Sequence, residues 1–193
     1  MTTHPTTIQN FLATSALPRF HTVLADPPWK FGNSTGKSAP EHKRLKRYAT
    51  MPLDEIMSLP VYRVVGDVAH LYLWVPNALL SEGLQVMAAW GFTYKTQLIW
   101  HKVAKDGTSD RRCMGFYFRN CTESLLFGIR GPTNMARTVP PWNLPNLFAA
   151  SKREHSRKPD ESFALIERAS PGPYLELFAR EPRAGWFCVG DQL

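Results

Sequence analysis

The chain has 193 residues, of which 44% are hydrophobic and 20% charged, so it can bury one ordinary core and global disorder is excluded. Its three cysteines (Cys113, Cys121, Cys188) form no CxxC pair and do not cluster with the six histidines, which excludes a disulfide framework and a zinc site. No apolar run reaches the roughly 18 residues of a membrane span, and residues 1–20 carry no leader-like stretch, so the expected compartment is the cytoplasm.

Residues 1–18 are polar and proline-containing and read as a loosely held arm, giving expected boundaries of 1–19 for the arm and 20–193 for one catalytic domain. His21–Ala25 is a short apolar strand that stops at Asp26-Pro27-Pro28-Trp29, because neither proline can donate to a ladder. Residues 52–59 read as a short helix with acidic residues in its first turn. Residues 67–75 (DVAHLYLWV) form a buried strand. Asn77 is a candidate cap for a helix over 78–90, whose apolar face is Leu80, Leu84, Met87 and Ala88 and which Gly91 stops. Strands follow at 92–100 and 123–130, then an irregular proline-rich stretch over 131–146 and a short strand near 146–149. Pro159 opens a helix that Ser170-Pro171-Gly172 ends, and the last strands are Tyr174–Phe178 and Trp186–Val189. The alternation of strands and helices predicts an α/β fold with a mostly parallel sheet, helices on both faces and ligands at the carboxyl ends of the strands.

The charge is unevenly placed. Of 23 Lys+Arg against 16 Asp+Glu, residues 37–47 hold five basic residues (Lys37, Lys43, Arg44, Lys46, Arg47) against one acidic, a net of +4. Residues 102–119 hold five (Lys102, Lys105, Arg111, Arg112, Arg119) against two, a net of +3, and these segments account for the whole excess of +7. Both read as loops. Two readings are open: a surface that grips a polyanion, or a solvated face that keeps the protein soluble.

Asp26-Pro27-Pro28-Trp29 is the most informative stretch. The prolines stiffen the turn and leave their carbonyls to accept hydrogen bonds, Asp26 adds an acceptor-only carboxylate, and Trp29 adds a flat face. Such a corner can hold a flat ring by its amino group, with Asp26 and the Pro27 carbonyl each accepting one N–H, which turns the nitrogen lone pair toward an electrophile. The competing reading is a proline-rich turn whose tryptophan packs on the core.

The stretch Ala25-Asp26-Pro27-Pro28-Trp29 resembles the catalytic motif of the MT-A70 family, the DPPW-type adenine N6-methyltransferases that use S-adenosylmethionine. Further segments agree in order: Tyr48-Ala49-Thr50-Met51, Leu73-Trp74-Val75, Ile99-Trp100, Glu123-Ser124-Leu125-Leu126-Phe127-Gly128, His155 to Glu161 (H-x-x-K-P-D-E), Glu176-Leu177-Phe178-Ala179-Arg180, and Trp186 with Gly190-Asp191-Gln192. The resemblance covers residues 20–193. It implies a circularly permuted Rossmann-like methyltransferase fold, with the catalytic strand first and the cofactor strand near the C-terminus.

By the same matching, Asp26, Pro27, Pro28 and Trp29 would be catalytic. Ala25, Lys158, Arg180, Arg183, Asp191 and Gln192 would contact S-adenosylmethionine, with Lys158 on its carboxylate, Arg180 and Arg183 on its ribose, and Asp191 and Gln192 on its adenine. Tyr48 stands either as a core aromatic or as a pocket residue, and Lys43, Arg44, Lys46, Arg47, Arg111, Arg112 and Arg119 would bind substrate phosphates, so that binding falls steeply with salt. Pro182 and Arg183 stand where relatives place a histidine and an asparagine, and no acidic residue precedes Asp26. The implied reaction is methyl transfer to adenine N6 in DNA, without a metal, yielding S-adenosylhomocysteine. The alternatives are the same reaction on RNA, or an inactive nucleic-acid-binding subunit. The size suits a bacterial or phage enzyme.

Overall fold

The structure, a computed structural model, describes residues 7–14, 18–30, 50–110, 117–132, 143–153 and 157–190. Its strands are β1 (Phe20–Ala25), β2 (Val65–Val75), β3 (Thr93–Val103), β4 (Thr122–Arg130), β5 (Leu147–Ser151), β6 (Tyr174–Leu177) and β7 (Trp186–Val189), and its α-helices are α1 (Thr7–Ala13), α2 (Leu53–Ser58), α3 (Leu80–Ala89) and α4 (Asp160–Ala169). The strands form one sheet in the order β5-β3-β4-β2-β1-β6-β7. Only β4 runs against its neighbours β2 and β3; the other pairings are parallel.

Alternation along the central strands sets the two faces. Val23 and Ala25 of β1 and Leu71, Leu73 and Val75 of β2 share a cluster with Ile8 and Leu12 of α1, Ile56 of α2, and Val86 and Met87 of α3. Leu24, Tyr72 and Trp74 point the other way, onto Phe163 and Ile166 of α4. Buried on both faces, β1 and β2 read as nearly continuous apolar runs for that reason. Ser170, just beyond α4, meets the His70 ring nitrogen Nδ1 at 2.6 Å and the Tyr72 hydroxyl at 2.8 Å, tying the end of that helix to β2.

Three expectations are corrected. Residues 7–13, assigned to a loose arm, form α1, because Ile8 and Leu12 lie one turn apart and both bury against the core. The buried face of α3 is Gly83, Val86 and Met87, whereas Leu80 and Leu84 are exposed at 42% and 38%. Asn77 is not the cap of α3: it opens a 3₁₀ turn over Asn77–Leu79, and its side chain reaches β4, accepting from Ser124 Oγ at 3.3 Å and donating to Thr122 Oγ1 at 3.2 Å. Among the described residues, no helix is long and apolar enough to cross a membrane.

Candidate active site

Strand β1 has a parallel neighbour on each side, β2 and β6. From β1 the chain crosses to β2 on one side, while β6 leads outward to β7 on the other. Strand order therefore reverses between β1 and β6, and the carboxyl ends of those strands are the position where ligands bind in open α/β sheets. Asp26 is the first residue beyond β1 and stands at that position, its side chain 23% exposed.

The turn after Asp26 is held from within. The Pro27 carbonyl accepts the Trp29 N–H at 2.8 Å, and the Pro28 carbonyl accepts the Met51 N–H at 2.8 Å. The Trp29 indole N–H donates to the Trp74 carbonyl at 2.9 Å, and the ring is 7% exposed within the core cluster under α1 to α3. The structure thus gives Trp29 a bracing position in the core rather than an open face. The Pro27 carbonyl keeps one lone pair beyond the bond to Trp29.

Behind Asp26 lies a chain of alternating charges. Lys158, two residues before α4, is 3.2 Å from Asp26 Oδ2 and 2.5 Å from Glu123 Oε1; Lys102 at the end of β3 is 2.8 Å from Glu123 Oε2. Their side chains are only 15% to 23% exposed. Two tryptophans carry the lysines: Lys102 lies 5.0 Å from the Trp100 ring and Lys158 lies 5.1 Å from the Trp74 ring, and the two rings meet edge to face at 6.2 Å. The Trp74 indole N–H is buried with no acceptor among the described residues.

Each charge feels burial and its neighbours. For Glu123 burial works upward, but Lys158 and Lys102 overcome it and hold the carboxyl down at about 2. Burial works to lower Lys158, yet Asp26 and Glu123 together hold the ammonium above its ordinary value. Asp26, the more distant partner of Lys158, keeps a net rise that burial dominates. Lys158 is therefore a cation at a helix N-terminus whose dipole cost is offset by two carboxylates.

On the β6 side, Glu176 has its carboxyl pushed up to about 7 by burial, against Arg183 and reinforced by the charge of Asp26. Arg183 donates to Asp160 Oδ1 at 2.6 Å and stacks 3.6 Å over the Phe163 ring, so it braces the start of α4; its Nε is buried without a partner among the described residues. Beyond β6, Phe178 takes φ 64° and the Ala179 N–H reaches back to the Val189 carbonyl at 3.0 Å. Gly190 closes this corner: a Cβ there would fall 2.1 Å from the Ala179 carbonyl oxygen, so only glycine lets the two segments meet.

The raised carboxyl of Glu176 has a thermodynamic consequence. Its folded value lies above the ordinary 4.5, so its contribution to stability is complete below pH 4.5 and is lost as pH rises through 7. Glu176→Gln is expected to raise the melting temperature at pH 8, by an amount worth at most about 3 kcal/mol, and to flatten the decline between pH 5 and 8. Thermal denaturation of both proteins across that range checks it; parallel curves would remove the account.

Of the residues singled out from sequence, the structure brings Asp26 and Lys158 into contact and places Arg180 where its charge acts on Asp26. Ala25 is wholly buried at the end of β1, and Arg183 turns to Asp160. Arg119 is exposed, beside the end of the sheet that carries Asp26. Lys43, Arg44, Lys46, Arg47, Tyr48, Arg111, Arg112, Asp191 and Gln192 lie outside the described residues. Lys102, counted in a basic loop, belongs to β3 and is neutralised by Glu123. Sequence reasoning gave Glu123 and Glu176 no role; the available signal was a lone carboxylate within an otherwise apolar strand.

Comparison with known proteins bears on this geometry. The MT-A70 family model matches residues 20–192. The chain is similar to an N(6)-adenosine-methyltransferase MT-A70-like protein of Arabidopsis thaliana, 32% identical over 92% of this chain and 24% of that protein. It is also similar to the human N(6)-adenosine-methyltransferase catalytic subunit METTL3, 30% identical over 95% of this chain and 30% of that protein. A third relative, the Type II methyltransferase M.MunI of Mycoplasma sp, is 29% identical over 88% of this chain and 77% of that protein. The chain thus spans less than a third of the first two relatives and most of the third.

Proposed function

The chain belongs to the MT-A70 family of S-adenosylmethionine-dependent adenine N6-methyltransferases, and on that premise we propose that it methylates adenine N6 in DNA. The observation that carries the reading is Asp26. It is a carboxylate at the reversal point of a largely parallel sheet, followed by two prolines and held 3.2 Å from a buried lysine.

The charges at this corner suit the cofactor. Asp26 and Glu176 are neighbouring carboxylates that burial disfavours in charged form, so the site favours a ligand that brings positive charge. S-adenosylmethionine supplies an activated methyl group on a cationic sulfonium, together with an ammonium and a carboxylate. Glu176 would face its positive groups, Lys158 and Arg180 would answer its carboxylate and ribose, and Asp191 and Gln192 its adenine.

The residues of the chain then act by position. Asp26 accepts one N6–H of the adenine and the second lone pair of the Pro27 carbonyl accepts the other. Both bonds would draw the nitrogen lone pair out of conjugation with the ring and turn it toward the methyl group that the cofactor would supply. After transfer N6 would hold a surplus proton, which Asp26 would accept along its hydrogen bond. Lys158 keeps Asp26 oriented, and Trp29 fixes the turn. A base in a duplex must leave its stack to reach this corner.

The preference for DNA draws on extent. M.MunI, named a Type II methyltransferase, is matched over 77% of its length, whereas the relatives named for adenosine, a ribonucleoside, are matched over 24% and 30%. Those adenosine relatives favour RNA as the second reading. Labelled methyl transfer to matched DNA and RNA oligonucleotides, followed by nucleoside analysis, is expected to give N6-methyladenine in DNA. Label in RNA alone would install the second reading, and binding without label would leave a nucleic-acid-binding subunit.

A further inference from the structure

One buried ammonium has no part in the methyl-transfer corner. Lys102 belongs to β3 and its side chain is only 15% exposed, whereas lysine is almost never buried unless it is paired. Its place is fixed on several sides. The Lys102 N–H donates to the Cys121 carbonyl at 2.8 Å, and the Lys102 carbonyl accepts the Asp110 N–H at 2.8 Å. Trp100, two residues back on the same face of β3, has its ring 5.0 Å from the ammonium and donates its indole N–H to the Ala150 carbonyl at 2.9 Å.

The carboxylate that Lys102 meets is shared. Glu123 gives Oε2 to Lys102 at 2.8 Å and Oε1 to Lys158 at 2.5 Å, and Lys158 in turn reaches Asp26 Oδ2 at 3.2 Å. Two ammonium groups and two carboxylates make this chain neutral. Lys158 sits closer to Glu123 than to Asp26, so the two carboxylates compete for one cation. Lys102 weakens that competition by answering one of the two Glu123 oxygens. Without it, the three groups that remain carry a net charge of −1, and Glu123 has Lys158 as its sole ion-pair partner among the described residues. Attraction then draws Lys158 toward Glu123 and away from Asp26. The other charges around Asp26 offer little relief. Glu123 on β4 and Glu176 on β6 disfavour its charged form, and Arg180 beyond β6 joins Lys158 in favouring it.

We propose that Lys102 is a positioning residue for the reaction: by neutralising Glu123 it keeps Lys158 on Asp26, so that Asp26 stays charged and aimed at the N6 amino group. This rests on the reading of Asp26 as the acceptor of an N6–H. It extends the machinery to a side chain that touches neither reactant and acts through two others.

The test is single-turnover methyl transfer as a function of pH, on whichever oligonucleotide wild type labels, with circular dichroism as the folding control. Asp26 accepts a proton only in its charged form, so the rate climbs an acid limb to a plateau. Lys102→Met, which keeps the apolar stem and removes the charge, is expected to move that limb up by about one pH unit. The rate then drops about tenfold at the foot of the limb and little on the plateau. Lys102→Gln, which still donates a hydrogen bond to Glu123, should shift as the methionine variant does, and it carries the test if that variant does not fold. Lys102→Arg should keep the wild-type limb. KM for the oligonucleotide and its salt dependence should not move, since no phosphate contact is removed. The proposal is overturned if the neutral variants keep the wild-type limb, or if they lower only the plateau, which marks a purely structural role. It is also overturned if the change lies in KM and the salt slope, which marks a contact with substrate phosphates. A carbon-13 NMR titration of the Asp26 carboxyl, assigned with Asp26→Asn, reads the same shift without turnover. A wild type that transfers no methyl group ends the reading of Asp26, and the titration then decides the coupling alone: an upward shift in Lys102→Met upholds it, and an unchanged curve removes it.

Discussion

Asp26→Ala is expected to lower methyl transfer by a factor on the order of 10³ to 10⁴ while leaving a folded protein that still binds nucleic acid. The size follows from what the side chain does. It is the acceptor that fixes the direction of the N6 lone pair and receives its proton, so its loss removes both orientation and proton acceptance. The fold should tolerate the change. Burial already lifts the Asp26 carboxyl, so its charge is a burden in the folded state, and Lys158 retains its shorter bond to Glu123 at 2.5 Å. Asp26→Asn separates the contributions, because it keeps one acceptor oxygen and loses the charge. It should lie between alanine and wild type in kcat, with KM for nucleic acid little changed. Single-turnover label transfer, with circular dichroism as the folding control, measures both. More than a tenth of wild-type activity in Asp26→Ala would sink the mechanism.

The largest expected effect on stability is at Glu123. Among the described residues it is the only ion-pair partner of Lys102 and one of two for Lys158, with its own side chain 18% exposed. Glu123→Gln leaves two buried ammonium groups facing one neutral amide. Breaking a buried pair from one side costs about 3 to 5 kcal/mol. For a domain of this length that corresponds to a drop in melting temperature of about 10 °C. The pH dependence has a definite sign. The folded carboxyl sits at about 2, below the ordinary 4.5, so its stabilisation is complete above pH 4.5 and is lost as pH falls toward 2. Wild type should therefore lose stability through that acid range, and the variant should lack that component. Adding Lys102→Met to Glu123→Gln should recover part of the loss by removing one stranded charge. An unchanged melting temperature in the single variant would show that the charge chain does not hold this end of the sheet.

The parts of this molecule that could be read from its sequence are those written locally. The strand ending at Ala25 and the two prolines after Asp26 mark a stop in the ladder, and that stop places the carboxylate at the sheet's edge. The helix after Pro159 and the strand after it are equally local. The face of α3 was misjudged because Leu80 and Leu84 follow helical spacing, whereas burial is decided by which side meets β2. Seven residues are too few for periodicity to announce α1, although Ile8 and Leu12 anchor it. Trp29 looked like an open platform because its hydrogen bond to Trp74 joins residues 45 apart. Lys102, Glu123 and Lys158 are likewise apart in sequence, and only the pairing of β3 with β4 and the start of α4 bring them together.

The reversed direction of β4 divides its two flanking connections between opposite rims of the protein. The connection entering it, through Cys121 and Thr122, lies beside Lys102 and Val103, on the rim where Asp26 stands. The connection leaving it passes Gly131, which packs against Asp67 near the start of β2, on the far rim. Lengthening the first would reshape the mouth of the cleft. Lengthening the second would act at Gly131, on the rim opposite Asp26, which makes it the natural place for a fused reporter or an added module.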